Sequence, residues 1–242
     1  MKLYYFQKGF NYSQDGPGNR LVYHLCGCNL SCPWCANPEG MLFNATFGKQ
    51  AETEQIVQEI LSSRPIFFDH GGVTFTGGEP TLQIDSLLSI MSKLQVFKIN
   101  TCIETNGTSP RLPELFSLLS TLIMDFKHPD PELHQKWTGL DNRQIRQNII
   151  AAAQTELPVQ LRVPLIHSVN DDDAAVNEFI RFFSSINRNG ITIEFLPYHE
   201  YGKVKWQQLG MEYTMKDAFV AKKQIHDIEE KCIAANLKII HT

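Results

Sequence analysis

The sequence predicts an α/β fold, a partial (β/α)6, TIM-like barrel with parallel strands. Three observations predict it. Short apolar segments alternate with segments of helical periodicity about six times along the chain, a rhythm that implies parallel strands joined by helical crossovers. The strand candidates are largely apolar, as expected where both faces of a sheet are covered. Six such units fall short of the eight that close a full barrel, so the barrel is open.

In chain order, the first segment ends in Asp15-Gly16-Pro17-Gly18-Asn19-Arg20, a turn cluster whose two glycines can take positive φ. Residues 21–25 suit a buried strand, and a cysteine-rich loop begins at its C-terminal end. Residues 52–62 carry Ile56, Val57, Ile60 and Leu61 at helical spacing, and 73–76 follow as a strand. Next come a helix over 84–94, a strand over 97–103, a short helix over 115–119 and a strand over 122–126. The pattern repeats with a helix at 145–153, a strand at 159–163, a helix at 174–183 and a strand at 191–195. A long helix over about 216–235 closes the chain, while 129–139 and 201–213 read as surface loops that choose a target.

Composition narrows the class. With 242 residues, 43% hydrophobic and 20% charged, the chain can bury about 70–75% of its unfolded surface in one core. Without a linker, repeat or low-complexity segment, residues 1–242 read as a single domain. A net charge of −4 gives no reason to propose nucleic acid or an anionic membrane as partner. No apolar run approaches the roughly 20 residues of a membrane span, and the N-terminus lacks a signal-peptide core. Six cysteines, four of them within ten residues, indicate metal binding in a reducing, cytoplasmic setting rather than disulfides. Nothing suggests an obligate dimer, so a monomer is expected.

In parallel α/β folds, function gathers at the C-terminal ends of strands. Here those ends carry the cysteine loop, Gly77-Gly78-Glu79-Pro80, Glu104-Thr105-Asn106-Gly107, Asp125-Phe126-Lys127-His128, Arg162 and Leu196-Pro197-Tyr198-His199. Each has a plainer reading. Gly77-Gly78 makes a tight turn, Glu104, Asp125 and Lys127 form rim ion pairs, and His199 packs. Asp15 caps a turn, while Cys102 and Cys232 are small buried hydrophobes. The loop Cys28-Asn29-Leu30-Ser31-Cys32-Pro33-Trp34-Cys35 sets three thiols at C-x3-C-x2-C spacing. Iron–sulfur clusters are held by cysteine thiolates, usually four. Cys26 lies two residues upstream, so the residues alone allow either a closed four-cysteine site or an open three-cysteine one.

C-x3-C-x2-C with an aromatic before the last cysteine resembles the radical S-adenosylmethionine (SAM) superfamily, and Gly77-Gly78-Glu79-Pro80 resembles its glycine-rich motif. The narrower resemblance is to glycyl-radical-enzyme activating enzymes, of which the pyruvate formate-lyase activase is the best-known type. Asp15-Gly16-Pro17-Gly18 with Arg20 carries it. So do Glu104-Thr105-Asn106-Gly107, Asp125-Phe126-Lys127, Trp137-Thr138-Gly139-Leu140-Asp141-Asn142, Arg162-Val163-Pro164-Leu165-Ile166 with Val169-Asn170-Asp171, and Leu196-Pro197-Tyr198-His199-Glu200-Tyr201-Gly202-Lys203. The blocks run in order from about residue 10 to about 217.

This resemblance implies an oxidoreductase in which Cys28, Cys32 and Cys35 hold a [4Fe–4S] cluster, one iron being left for SAM. Lys127 is grouped with these cysteines as catalytic. Trp34, Cys35 and Ala36 line the adenine, mainly through backbone. Gly78, with Gly77 and Glu79, meets the methionyl amine. Asp125, Phe126 and Lys127 contact the ribose and carboxylate side, Arg162 lies within reach of SAM or an incoming peptide, and His199 closes the pocket. A monovalent cation (Na+ or K+) is implied at Glu104, Thr105 and Asp125. Ala36 stands where many relatives have His, and Glu104 where the best-known type has Asp. The connection 41–50 is too short for the ferredoxin-like cluster domain many activases insert.

The implied reaction is anaerobic reductive cleavage of SAM, giving a 5′-deoxyadenosyl radical that takes a hydrogen atom from a backbone glycine of a partner. That partner is a glycyl radical enzyme of the pyruvate formate-lyase kind, and a flavodoxin or ferredoxin supplies the electron. Three other readings compete: a radical SAM enzyme with a small-molecule substrate, a zinc module built on Cys26, Cys28, Cys32 and Cys35, and a non-catalytic homologue. A brown rather than colourless protein separates the iron–sulfur reading from the zinc one.

Overall fold

The computed structural model describes residues 1–43 and 48–242. The chain forms two compact units. The first comprises Met1–Asn29, Asn37–Thr105 and Ser109–Ile123; the second comprises Leu30–Ala36, Asn106–Thr108 and Met124–Thr242. The cysteine stretch is therefore divided, with Cys28 in the first unit and Cys32 and Cys35 in the second.

Eight strands are present among the described residues, two more than the apolar rhythm predicts. In the first unit, β1 (Lys2–Tyr12) runs antiparallel to β2 (Asn19–Leu25) and to β3 (Lys49–Glu52). Parallel pairing then takes β2 to β4 (Gly72–Gly77), with Leu25 opposite Gly77, and β4 to β5 (Asn100–Thr105), with Phe75 opposite Ile103. The order is β3-β1-β2-β4-β5-β6, where β6 is Thr121–Asp125. The two extra strands escape the apolar pattern for a physical reason. In β1 only Leu3 and Tyr5 are buried, and β3 is four residues with none buried.

Helices α1 (Thr53–Ser62) and α2 (Ile84–Val96) lie between these strands in the chain. α1 buries Ile56, Val57 and Ile60, and its start is fixed by a capping box between Glu52 and Gln55. α2 buries Leu87, Ile90, Met91 and Leu94 at i, i+3, i+4 and i+7 spacing. The short helix predicted near 115–119 is a 3-10 turn, Leu112–Leu118.

In the second unit the order is β6-β7-β8, with β7 (Val159–Leu165) parallel to β8 (Ile191–Pro197). α4 (Arg143–Ala153) and α5 (Asp173–Ile186) precede these strands, and α5 starts on an Asp172 cap whose carboxylate accepts from the Ala175 N–H. Phe126, just past β6, is fully buried against Phe179, Phe182 and Phe183 of α5. Two expectations need correction. The closing helix, α7 (Lys222–Ala234), begins six residues later than predicted, and the expected loops 129–139 and 201–213 contain α3 (Pro131–Thr138) and α6 (Lys203–Gln208). The Asp130-Pro131 start of α3 is a legible cap-then-proline signal. Of the 41–50 connection, residues 44–47 lie outside those described.

The N-terminal signature sits at the start of the strands. Arg20 is fully buried. Its guanidinium donates to Thr74 Oγ1 (2.7 Å) and to the carbonyls of Val73 (2.8 Å) and Pro17 (2.9 Å). Gly18 (φ +68°) is required because a Cβ there would lie 2.2 Å from the Asp69 carbonyl oxygen. Burial lowers the Arg20 pKa, yet the group stays cationic, held by oxygens at the N-terminal ends of β2 and β4. Arg20→Met is expected to lower the unfolding free energy by about 2–4 kcal/mol, because three acceptors lose a charged donor. Arg111→Met, at an exposed ion pair, should leave it nearly unchanged, and urea unfolding of the two variants makes the comparison.

Candidate functional site

In the first unit the cysteine stretch leaves the end of β2 and is gripped by the glycine-rich turn after β4. The Gly78 N–H donates to the Leu25 carbonyl (2.9 Å) and the Glu79 N–H to the Gly27 carbonyl (2.6 Å). The approach excludes side chains. A Cβ on Gly77 (φ +111°) would lie 2.3 Å from the Leu25 nitrogen, and one on Gly78 would lie 2.1 Å from the Gly27 oxygen. These glycines are therefore demanded by packing of the loop base. With both amide N–H groups committed, the turn offers an incoming ammonium carbonyl oxygens rather than donors.

The Glu79 side chain is fully buried. Its Oε1 accepts from the Thr81 N–H (2.9 Å), the Thr81 hydroxyl and the Thr105 hydroxyl (2.7 Å). This caps the 3-10 turn Pro80–Gln83 and joins the ends of β4 and β5. Glu104 accepts from the Thr76 hydroxyl at 3.1 Å. Cys26 is buried in the strand end, its N–H donating to the Tyr4 carbonyl (3.0 Å) and its own carbonyl accepting from Gln83 (3.1 Å). Cys28 is half-buried, and its N–H donates to the Met41 carbonyl (3.4 Å).

In the second unit the same stretch continues through Cys32, buried, and Cys35, half-buried. The Cys35 N–H donates to the Cys32 carbonyl (3.1 Å), closing the C-x-x-C turn, and the Ser31 N–H donates to the Thr138 carbonyl at the end of α3 (2.8 Å). Trp34, nearly buried, meets the Trp137 ring at 6.2 Å between centroids. The Cys35 carbonyl accepts from the Trp206 indole N–H (2.9 Å). Ala36 lies under Gly202, where a Cβ would come within 2.9 Å of the Ala36 Cα.

At the end of β6, Asp125 Oδ2 and Lys127 Nζ are 2.6 Å apart, the lysine nearly buried. Phe126 points the other way, into the core, so only its backbone is left for a ligand. Two asparagines that the family blocks contain, but to which no role is attached, brace this rim. Asn170 donates to the Lys127 carbonyl (2.7 Å) and Asn142 to the carbonyls of His128 and Pro129 (2.8 Å each). Their sequence signal is an amide side chain in a loop, the usual partner of local backbone.

Arg162 is buried and paired with Glu194 Oε2 at 2.9 Å, an oxygen that also accepts from Gln160 (2.6 Å). His199 is half-buried and stacks on Tyr201 with centroids 4.1 Å apart. Burial lowers its pKa, so the imidazole is neutral near pH 7. Among the described residues no group of three His, Cys, Asp or Glu side chains is disposed to hold a single metal ion. Nor is any helix long and apolar enough to cross a membrane.

These features match known proteins. The Radical SAM superfamily model matches residues 22–180, a stretch that runs through both units. The chain belongs to the radical SAM superfamily. It is 32% identical to the pyruvate formate-lyase-activating enzyme of Staphylococcus epidermidis, over 84% of each chain. It is 30% identical to the 4-hydroxyphenylacetate decarboxylase activating enzyme of Clostridioides difficile, again over 84% of each. A radical SAM methyltransferase from Sphaerobacter thermophilus shares the fold at a TM-score of 0.63, with 17% identity, over 96% of this chain and 72% of that one. The expected partial barrel is the α/β fold of such neighbours, and the chain is a radical SAM enzyme with glycyl-radical-enzyme activating enzymes as homologues.

Superfamily membership implies a [4Fe–4S] cluster and SAM. The donor set fits the cluster, because Cys28, Cys32 and Cys35 are in no disulfide, and cysteine thiolates are the ligands iron–sulfur clusters take.

His134 of α3 supports the loop contact at Thr138 and titrates as it does so. It is fully buried. Its Nδ1 lies 2.6 Å from the Leu140 carbonyl oxygen and therefore carries the proton, while buried Nε2 has no partner among the described residues. Burial pushes its pKa down from 6.5 to about 4. Above pH 6.5 the imidazole is neutral folded and unfolded. Between 6.5 and about 4 only the unfolded chain takes up the proton, so stability falls as pH drops through that window. His134→Gln is expected to remove about 2 kcal/mol of the stability lost between about pH 7 and pH 5, read by urea unfolding at the two pH values.

Proposed function

We propose that this chain, with residues 1–242 working as one radical SAM domain, activates a glycyl radical enzyme of the pyruvate formate-lyase kind. The observation that carries the proposal is the cysteine stretch itself. Its three cysteines, none in a disulfide, lie on a backbone held by the glycine turn, by Thr138 and by Trp206, and the first two of these supports belong to blocks that mark the activases.

Cys28, Cys32 and Cys35 would hold the cluster, with one iron left for SAM; Cys26 stays a packing residue in its strand. Bound together, these groups would supply one-electron reductive cleavage of SAM, with a flavodoxin or ferredoxin as electron donor, and hydrogen-atom abstraction from the partner's glycine. The chain's own part is to bind and orient. Carbonyl oxygens of the Gly77-Gly78-Glu79 turn receive the methionyl ammonium, since the N–H groups of Gly78 and Glu79 are already used. Lys127 meets the methionyl carboxylate and Asp125 accepts from the ribose hydroxyls, the pair being held together at 2.6 Å. Trp34, Cys35 and Ala36 present backbone to the adenine, and neutral His199 flanks the nucleoside. Arg162, locked by Glu194, bounds the pocket where a peptide enters.

A monovalent cation, Na+ or K+, at Glu104, Thr105 and Asp125 would share the Asp125 carboxylate with the Lys127 ammonium. Activity independent of K+ and Na+ removes that ion from the scheme. The chain is read as a cytoplasmic monomer with no nucleic-acid partner.

Alanine at Cys28, Cys32 or Cys35 is expected to abolish 5′-deoxyadenosine formation in anaerobically reconstituted, dithionite-reduced protein, whereas Cys26→Ala keeps most of it. Loss of the cluster in Cys26→Ala overturns the three-thiol assignment. With a candidate partner present, a glycyl radical signal in the EPR spectrum identifies the substrate; 5′-deoxyadenosine formed without such a signal for any glycyl radical enzyme favours a small-molecule substrate.

A further inference from the structure

Among the described residues, the backbone of Cys35 has both of its polar groups engaged. Its N–H donates to Cys32 and its carbonyl accepts from the Trp206 indole. The donor belongs to α6, a segment 171 residues further along the chain that sequence reading assigns to a surface loop. Trp206 is buried, its ring edge-on to Tyr213 at 5.9 Å. One turn earlier, Gly202 brings backbone against the same peptide group: a Cβ there would lie 2.3 Å from the Cys35 oxygen. The Trp206 N–H donates to the Gly202 carbonyl (3.0 Å), so the two contacts move together. The far side of α6 is tied down as well, with Lys203 paired to Glu200 (2.8 Å) and the Tyr198 and Tyr213 hydroxyls 2.7 Å apart.

We propose that Gly202 and Trp206 are positioning residues for Cys35, together fixing the peptide plane from which its thiol projects. A side chain's direction follows from its backbone dihedrals. With the N–H and the carbonyl of residue 35 both held, the remaining freedom at this position is the thiol's own rotation. The indole reaches the carbonyl from a buried ring, in a part-buried position where water competes less for the acceptor than it would at the surface. The consequence for a cluster rests on the proposed function, because hydrogen bonding and exposure around the ligating sulfurs tune cluster potential. The consequence for the thiol itself does not.

The test replaces Trp206 with 3-benzothienylalanine, which keeps the ring's shape and exchanges the N–H for sulfur, and separately makes Gly202→Ala. In the cluster-free protein, iodoacetamide alkylation is followed by mass spectrometry at each cysteine. Cys35 is expected to react on the order of fivefold faster in the isostere, about what losing one neutral hydrogen bond allows, with the Cys28 rate unchanged and the melting temperature lowered by no more than about 2–4 °C. In reconstituted protein, chelator-driven loss of the cluster's visible absorbance should accelerate by a similar factor, and the EPR signal of the reduced cluster should shift. An unchanged Cys35 rate in the isostere overturns the positioning role, as does an equal rise at Cys28 with a fallen melting temperature, which marks general loosening. If Gly202→Ala does not fold, the isostere alone decides. Wild-type protein that takes up no cluster sinks the proposed function instead, and the alkylation result still stands on its own.

Discussion

Two peptide groups approach each other so closely at the end of β4 that no side chain fits between them. The amides of Gly78 and Glu79 are spent on the carbonyls of Leu25 and Gly27. Everything the cysteine stretch does begins from that contact, because it fixes where the chain leaves β2. A tight backbone approach of this kind is rigid in a way that side-chain packing is not. Two amide–carbonyl bonds define position and direction at once, and the left-handed φ of Gly77 carries the turn away without strain. The glycines are thus read best as the price of proximity between two strand ends.

The same division of labour recurs across the chain. Glu79, Arg20, Asn142 and Asn170 are charged or polar and all buried, a combination that in isolation suggests chemistry. Each instead bonds backbone or hydroxyl partners. The side chains left at the strand ends with charge or a titrating ring are fewer: Asp125, Lys127, Glu104 and His199. The braces hold loops within each unit. Glu79 and Arg162 show how easily the two classes are confused, since both stand in family blocks and both are consumed by partners in their own unit.

Much of this was legible in residues 21–25, 73–76, 122–126, 159–163 and 191–195, whose apolar runs became β2, β4, β6, β7 and β8. Residues 97–103 marked β5 less closely, running ahead of its start at Asn100. Strands with little to bury were not legible, because periodicity reports burial and nothing else; β1 and β3 are the cases. α6 is six residues long, too short for helical periodicity to register. The motif cysteines were visible as spacing, and the glycine turn as composition. Trp206 carried no such signal. Its partner is a carbonyl oxygen, which every residue possesses, so no pattern of side chains could have pointed to it.

The C-x-x-C turn has a consequence outside catalysis. A turn closed by the Cys35 N–H on the Cys32 carbonyl keeps its end Cα atoms within about 7 Å, which overlaps the span a disulfide bridges. Cys35 is half-exposed and neither cysteine is in a disulfide. In air, and before any iron arrives, the pair is therefore poised to oxidise to a small closed ring that removes two of the three thiols together. Such a lesion is reversible by a thiol reductant, so the history of a preparation, more than its sequence, decides how many molecules can be loaded.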